Sequence, residues 1–199
     1  KLAGLCHDLG HGPMSHAFDR FLERKGVHTA HEDRSCDILR QIVAQYNIPL
    51  DPREVDMACE LIAPKTRSFP QFWYQIIAND IDGIDVDKLD YLQRDAKHTG
   101  MGLSVDVQRF FLYARVIDGR LCYSKDRMPF AINQLFMVRH QLHHQVYQHS
   151  VVRAIELMYL DVLEMLSAVI CQKAVFLELT DFVFDRHYPQ LLKQTGELS

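Results

Sequence analysis

Residues Ala3 to Asp19 read AGLCHDLGHGPMSHAFD, three histidines and two aspartates set among glycines and a proline within seventeen positions. Leu2, Leu5, Cys6 and Leu9 recur at helical spacing, so the stretch opens as an amphipathic helix. Gly10 and Gly12-Pro13 then end that helix just after Asp8. A tight Gly/Pro turn carrying three imidazoles has no packing purpose. At a helix end, adjacent side chains diverge by about 100°, which lets His7 and Asp8 clasp an ion lying off the terminus. Neutral imidazole with carboxylate suits iron, manganese or zinc. The turn folds the backbone back and brings His11 and His16 near the same point.

Composition limits what surrounds this turn. With 199 residues, 48% of them hydrophobic, the chain can bury one good core and is expected to form one domain or most of one. Its 22 Lys+Arg against 26 Asp+Glu give a net charge of -4, which supplies no overall basic field for nucleic acid or an anionic membrane. A local basic pocket for a small anion is compatible with that balance. Cys6, Cys36, Cys59, Cys122 and Cys171 are scattered and odd in number, without a CxxC, so neither a disulfide framework nor a zinc ribbon is expected. A reducing compartment, cytoplasmic or nuclear, fits this usage. No apolar run reaches the roughly 18 residues of a membrane span. The chain starts at Lys1, and KLAGLC has the pattern of a helix's last turns, so it is expected to be a fragment.

The rest of the chain predicts an all-α fold. Helices are expected at Ser15 to Lys25, His31 to Tyr46, Val55 to Ile62 and Val86 to Lys97, with one long helix or two over Met128 to Leu166. Ala63 to Pro70 reads as a loop, followed by the apolar-rich FWYQIIAND. The exception to helix is ARVIDGRLCYS, residues 114–124, where Asp-Gly sits between alternating runs as in a short β-hairpin.

Two further constellations carry polar chemistry. In Asn79 to Asp95, NDIDGIDVDKLDYLQRD, the residues Asp87, Tyr91 and Asp95 step by four along a helix, and Lys88 sits about 100° round from Asp87. Taken alone, an acidic run of this kind is a solvated helix face laced with ion pairs. In RHQLHHQVYQH, Arg139, His143 and Tyr147 again step by four. Guanidinium, imidazole and phenol on one stripe suit a nucleoside polyphosphate, the guanidinium taking phosphate oxygens.

Taken together, HDLGHGPMSHAFD, His31-Glu32, GIDVDKLDYLQRD and Arg139 with YQH resemble the HD-domain deoxynucleoside triphosphate triphosphohydrolases, most closely the vertebrate SAM-and-HD-domain branch. The likeness runs from Lys1 to about His187, so residues 1–199 are expected to be an HD phosphohydrolase domain lacking N-terminal helices and a C-terminal remainder. The resemblance implies that His7, Asp8 and Asp87 hold the metal with a histidine upstream of Lys1. It implies that His11, His16 and His31 line the α-phosphate site, with Asp19 orienting an imidazole. Lys88, Tyr91, Asp95, Arg139, His143, Tyr147 and Gln148 fall at positions that hold triphosphate, sugar and base. Asp106 and Arg109 match the family's allosteric nucleotide sites, and Lys125 and Arg127 keep their basic character. Ala131 and Ser150 replace an asparagine and a lysine there. By the same resemblance the partners are a dNTP substrate, an activating GTP or dNTP, and further copies of the full-length chain.

The implied reaction is attack at the α-phosphorus, giving a deoxynucleoside and intact triphosphate, with Mg²⁺ accompanying the nucleotide. His16, with Asp19 one turn on, is the expected proton donor to the leaving 5′-oxygen. Two other functions share parts of the pattern. A 5′-nucleotidase or cyclic-nucleotide phosphodiesterase would need His7, Asp8 and Asp87 but not the Lys88/Tyr91/Arg139/Tyr147 set. A non-catalytic helical binding module would keep the scaffold and lose ligands.

Overall fold

The computed structural model describes residues 1–170 and Leu179. The described chain is helical apart from one hairpin, as expected. Its elements are α1 (Leu2–Cys6), α2 (His16–Arg24), α3 (His31–Gln45), α4 (Pro52–Ile62), α5 (Gln71–Ile77), α6 (Val86–His98), α7 (Val107–Tyr113), β1 (Ala114–Ile117), β2 (Arg120–Tyr123), α8 (Pro129–Leu142), a π-helical turn (His143–Tyr147), α9 (Ser150–Met165) and α10 (Ser167–Ile170). They divide into two compact units, Gly4–Cys59 with the described chain from Arg153 on, and Glu60–Val152.

The first unit is built on α2. Its buried positions Ala17, Phe18, Phe21 and Leu22 form one stripe, and they pack with Tyr159, Leu160 and Leu163 of α9 and with Leu166, Ile170 and Leu179. Ion pairs Arg20–Glu156 and Lys25–Glu164 flank this core. The Tyr159 hydroxyl donates to the Pro13 carbonyl at 3.0 Å, anchoring the turn that precedes α2 to the same core. The central unit, Glu60–Val152, has its own core. Leu89, Leu92 and Ala96 of α6 meet Phe110 of α7 and Ala131, Leu135, Val138 and Leu142 of α8, the last four at helical spacing. The hairpin pairs Ala114 with Tyr123 and Ile117 with Arg120. Asp118 and Gly119 both have positive φ, 48° and 74°, the conformation that lets a two-residue turn follow the strands' twist.

Several expected boundaries move. Helix α1 ends at Cys6, so His7 and Asp8 lie in the turn beyond it. FWYQII, given no element from sequence, lies in α5, and α7 forms where no helix was expected. The long segment from Met128 to Leu166 is cut by the π turn, whose Gln148 N–H reaches back five residues to the His143 carbonyl at 2.9 Å. The part of the family likeness between Ile170 and about His187, and Cys171, lie outside the described residues apart from Leu179.

Two glycines are fixed by close approach. A Cβ on Gly10 would sit 2.0 Å from the His31 carbonyl oxygen and 2.4 Å from the Ser35 nitrogen, and one on Gly12 would sit 2.1 Å from the Phe18 ring. Gly26, by contrast, has open space and only a left-handed φ of 71°. Gly10→Ala must therefore move backbone, and a loss of roughly 3 kcal/mol or more is expected, at the upper end of overpacking costs. Gly26→Ala should cost about 1 kcal/mol, the penalty for a left-handed non-glycine residue. Thermal unfolding of the two variants checks this, and equal shifts in Tm would contradict the seating of Gly10.

Candidate metal and phosphate site

The His-Asp pair is oriented by the backbone around it. His7 Nδ1 lies 2.9 Å from the Gly4 carbonyl, a bond it can make only as donor, which leaves Nε2 as the lone-pair atom of the ring. That nitrogen is 3.3 Å from Asp8 Oδ1. A lone-pair nitrogen and a carboxylate oxygen at that separation call for a cation or a proton between them, so the donor set fits a transition metal. Asp8 Oδ1 also lies 3.7 Å from His11 Nε2. Asp8, His11 and His31 each offer one ligand atom within 4.8 Å of the others, and so do His11, His16 and Asp19.

The three expected phosphate-site histidines do converge. His11 and His31 stack with ring centroids 4.1 Å apart, and His16 meets His11 edge-on at 5.0 Å. One oxygen of Asp19, Oδ2, lies 3.6 Å from His16 Nδ1, 3.7 Å from His11 Nδ1 and 3.9 Å from His31 Nδ1. Burial, then the neighbouring His31 ring, holds the His11 pKa below its ordinary value, so this ring is neutral near pH 7. Its Nδ1 is buried without a hydrogen-bond partner among the described residues. His16 is the exposed member, its side chain 75% accessible against 16% for His11. It follows Met14 and Ser15, whose φ values of 60° and 50° mark a strained turn.

Sequence reasoning missed what holds this cluster. Arg34 and Ser35 are fully buried in the second turn of α3. The Arg34 guanidinium donates to the other oxygen of Asp19, to the Gly10 carbonyl at 2.8 Å, and to the Thr29 carbonyl at 2.6 Å. Ser35 Oγ accepts from the Gly10 amide at 2.8 Å and faces the His7 and His31 carbonyls. The available signal was a polar pair abutting the apolar stripe of Cys36 and Leu39. Polar residues beside a buried face need partners.

The acidic run of the central unit sorts into separate roles. Asp85 caps α6, accepting from the Lys88 amide at 2.9 Å, and is buried with the Asn79 amide at 3.2 Å. Asn79 in turn bonds Asp82 and the Ile84 carbonyl, which knots residues 79–85 into a rigid entry to α6. Asp87 stands half-buried in the first turn of α6. Lys88 is less free than expected, because its Nζ lies 2.9 Å from Asp85 Oδ2. Asp90 pairs with Arg94 on the exposed face, the ordinary i,i+4 arrangement.

The residues of this unit that the sequence resemblance assigns to substrate form a second polar set. The Tyr147 hydroxyl donates to Asp95 Oδ2 at 2.6 Å. Burial first, then this bond, pushes the Tyr147 pKa up. Tyr91 is raised by burial and partly relieved by its hydrogen bond to Arg139. His143 touches the Tyr147 ring edge-on at 5.0 Å and is held below the usual imidazole range by burial, then by Arg139. His143 and Gln148 line a cleft with His140, His144 and His149. Of the expected allosteric residues, two meet at one ring on this unit: Arg109 and Arg127 lie over Tyr113 at 5.3 and 5.5 Å, and Arg109 donates to the Arg127 carbonyl. Asp106 caps α7, and Lys125 is exposed.

The chain thus sets a His-Asp pair just past a helix end, with carboxylate and imidazole groups close enough to share a metal ion, on a scaffold that is helical apart from one hairpin, and the family model for the HD domain matches residues 1–95. Over that stretch the chain is similar to the HD-domain family. Its relatives include the "Deoxynucleoside triphosphate triphosphohydrolase SAMHD1 homolog" of Dictyostelium discoideum, 38% identical over 81% of this chain and 32% of that protein. The SAMHD1 enzymes of Homo sapiens and Gallus gallus are each 35% identical, over 81% and 79% of this chain and 30% of each relative. The chain spans about a third of the length of these curated relatives. Among the described residues, no helix is long and apolar enough to cross a membrane.

Replacing Asp95 by Asn removes the carboxylate that disfavours the Tyr147 phenolate. The Tyr147 pKa should fall toward the ordinary tyrosine value, read by ultraviolet absorbance titration against Tyr147→Phe. In the parent protein the raised value means stability contributed by Tyr147 is full below about pH 10 and declines as pH climbs through the folded pKa. An unchanged titration in Asp95→Asn would remove the Tyr147–Asp95 bond from the site.

Proposed function

We propose that this chain carries the hydrolytic centre of a deoxynucleoside triphosphate triphosphohydrolase of the HD class, working as one domain in the cytosol or nucleus. The observation that carries the proposal is the convergence of three imidazoles on one Asp19 oxygen beside the His7-Asp8 pair. The names of its relatives and the Tyr91–Arg139 and Tyr147–Asp95 pairs support it.

In this reading His7, Asp8 and Asp87 hold an iron, manganese or zinc ion with one more histidine. The bound ion would supply a water of lowered pKa and draw charge from a phosphate oxygen. Water attacks the α-phosphorus, the bond to the 5′-oxygen breaks, and that oxygen takes a proton. The products are a deoxynucleoside and triphosphate. His16, exposed and within reach of Asp19, delivers the proton. Neutral His11 and stacked His31 stabilise the charge that develops on the phosphate. Arg139 and Lys88, with Mg²⁺ on the polyphosphate tail, offset its charge, and Lys88 exchanges its Asp85 contact for phosphate on binding. Tyr91, Asp95, Tyr147, His143 and Gln148 hold sugar and base. Asp106, Arg109, Lys125 and Arg127 are proposed to take part in binding an activating nucleotide, and further copies of the full-length chain to assemble around it.

The test incubates the intact protein with each dNTP and separates triphosphate from orthophosphate. Triphosphate release that is abolished by chelation and restored by iron or manganese is the expected result, and orthophosphate alone would instead mean a nucleotidase. His16→Ala should lose turnover by roughly a hundredfold or more, the scale of a general acid, with metal content unchanged. A dNTP analogue with a much better leaving group than the 5′-alkoxide should recover most of that loss. An equal defect with both substrates would move the proton donor to His11 or His31.

A further inference from the structure

We infer that Arg34 is a positioning residue for the three-histidine cluster, acting through Asp19, and the inference rests on the proposed hydrolytic reading of that cluster. Asp19 has two oxygens with separate tasks. One accepts from the Arg34 guanidinium, and the other faces Nδ1 of His11, His16 and His31 at 3.6 to 3.9 Å. A carboxylate tethered at one oxygen has lost its rotation about the side chain's last bond, so its second oxygen is held toward the rings. Only a fork of several donors can do this while gripping backbone as well.

Arg34 grips three pieces of chain at once. Its Nε donates to Gly10 in the His-Asp turn, its Nη1 to the Thr29 carbonyl and hydroxyl in the loop leading to His31, and its Nη2 to Asp19 on α2. Each of these segments carries at least one of the site's histidines. The guanidinium is buried, its side chain 3% accessible, so it meets no substrate and its charge is spent on this junction. A lysine in its place offers one ammonium and cannot span the three directions.

The experiment compares Arg34→Lys, Asp19→Asn and the double variant in the intact, metal-loaded protein, with two readouts. In the first, triphosphate release per folded molecule, Arg34→Lys should lower kcat by about tenfold to a hundredfold, the usual effect of a residue that orients a ligand, with KM for dNTP changed less than threefold. The double variant should lose no more than the worse single one, as groups acting in one chain do. A kcat within twofold of the parent, a loss explained by the unfolded fraction, or additive losses would each overturn the inference. In the second, ¹⁵N spectra of the histidine rings, Arg34→Lys and Asp19→Asn should shift the same three signals, those of His11, His16 and His31, and leave His98 unmoved. If the parent protein releases no triphosphate, the functional reading fails while the ring spectra still decide the inference. Unchanged ring signals in Arg34→Lys would overturn it whatever the activity.

Discussion

The seating of Gly10 against α3 is the contact on which the first unit's polar site depends. Its nitrogen takes the Ser35 hydroxyl and its carbonyl takes Arg34, so both backbone groups are satisfied by buried side chains three to four positions beyond His31. The absence of a Cβ is what permits the approach, since one there would overlap α3's own backbone. Because α3 begins at His31, the same contact that ends the His-Asp turn also sets where the third imidazole starts. The turn then has to climb into α2 through Met14 and Ser15 at positive φ, and the Tyr159–Pro13 bond holds it there. Strain at that point persists because the flanking contacts over-determine it.

Charge is divided in a way that follows from burial. The chain is acidic overall, and one of its cations, Arg34, is consumed internally. Within the Asp19 cluster three imidazoles face the carboxylate's second oxygen, and burial holds the His11 pKa below its ordinary value. Fixed positive charge stands on the central unit instead, where Arg139 is exposed and Lys88 is half-buried beside Asp85. An ammonium held by a capping carboxylate is partly neutralised.

Residue pattern carried the all-helical class, the α3 and α6 helices and the hairpin, because amphipathic period and the Asp-Gly turn are local signals. It also brought His7, Asp8, His11 and His16 together, because Gly and Pro dictate a tight turn wherever they fall. The limits are equally physical. Stepping by four along NDIDGIDVDKLDYLQRD says which residues share a face, but not that Asp85 would be drawn in as a cap while Asp90 stays outside. That division is decided by Asn79, seven residues before the helix starts. Arg34 was invisible for a related reason: its partners come from three segments 5, 15 and 24 residues away, and no window on one helix contains them.

The π turn illustrates where local regularity gives way. On an unbroken helix His143 and Tyr147 would drift only about 40° round the axis from Arg139 and from each other. Widening the turn to an i→i+5 bond inserts extra arc at that point and reorients everything after it. Tyr147 gains the Asp95 carboxylate at 2.6 Å, and the histidines at 140, 143, 144 and 149 come to line one cleft rather than spiral around a cylinder. A π turn has poorer backbone packing than the α-helix it interrupts, so its persistence needs compensation from side chains. The buried Leu142 just before it and the Tyr147–Asp95 bond at its end supply that compensation within the central unit. His143, Tyr147 and Gln148 thus occupy a place where the helix departs from its lowest-energy form, while the regular turns of α6 and α8 carry the core.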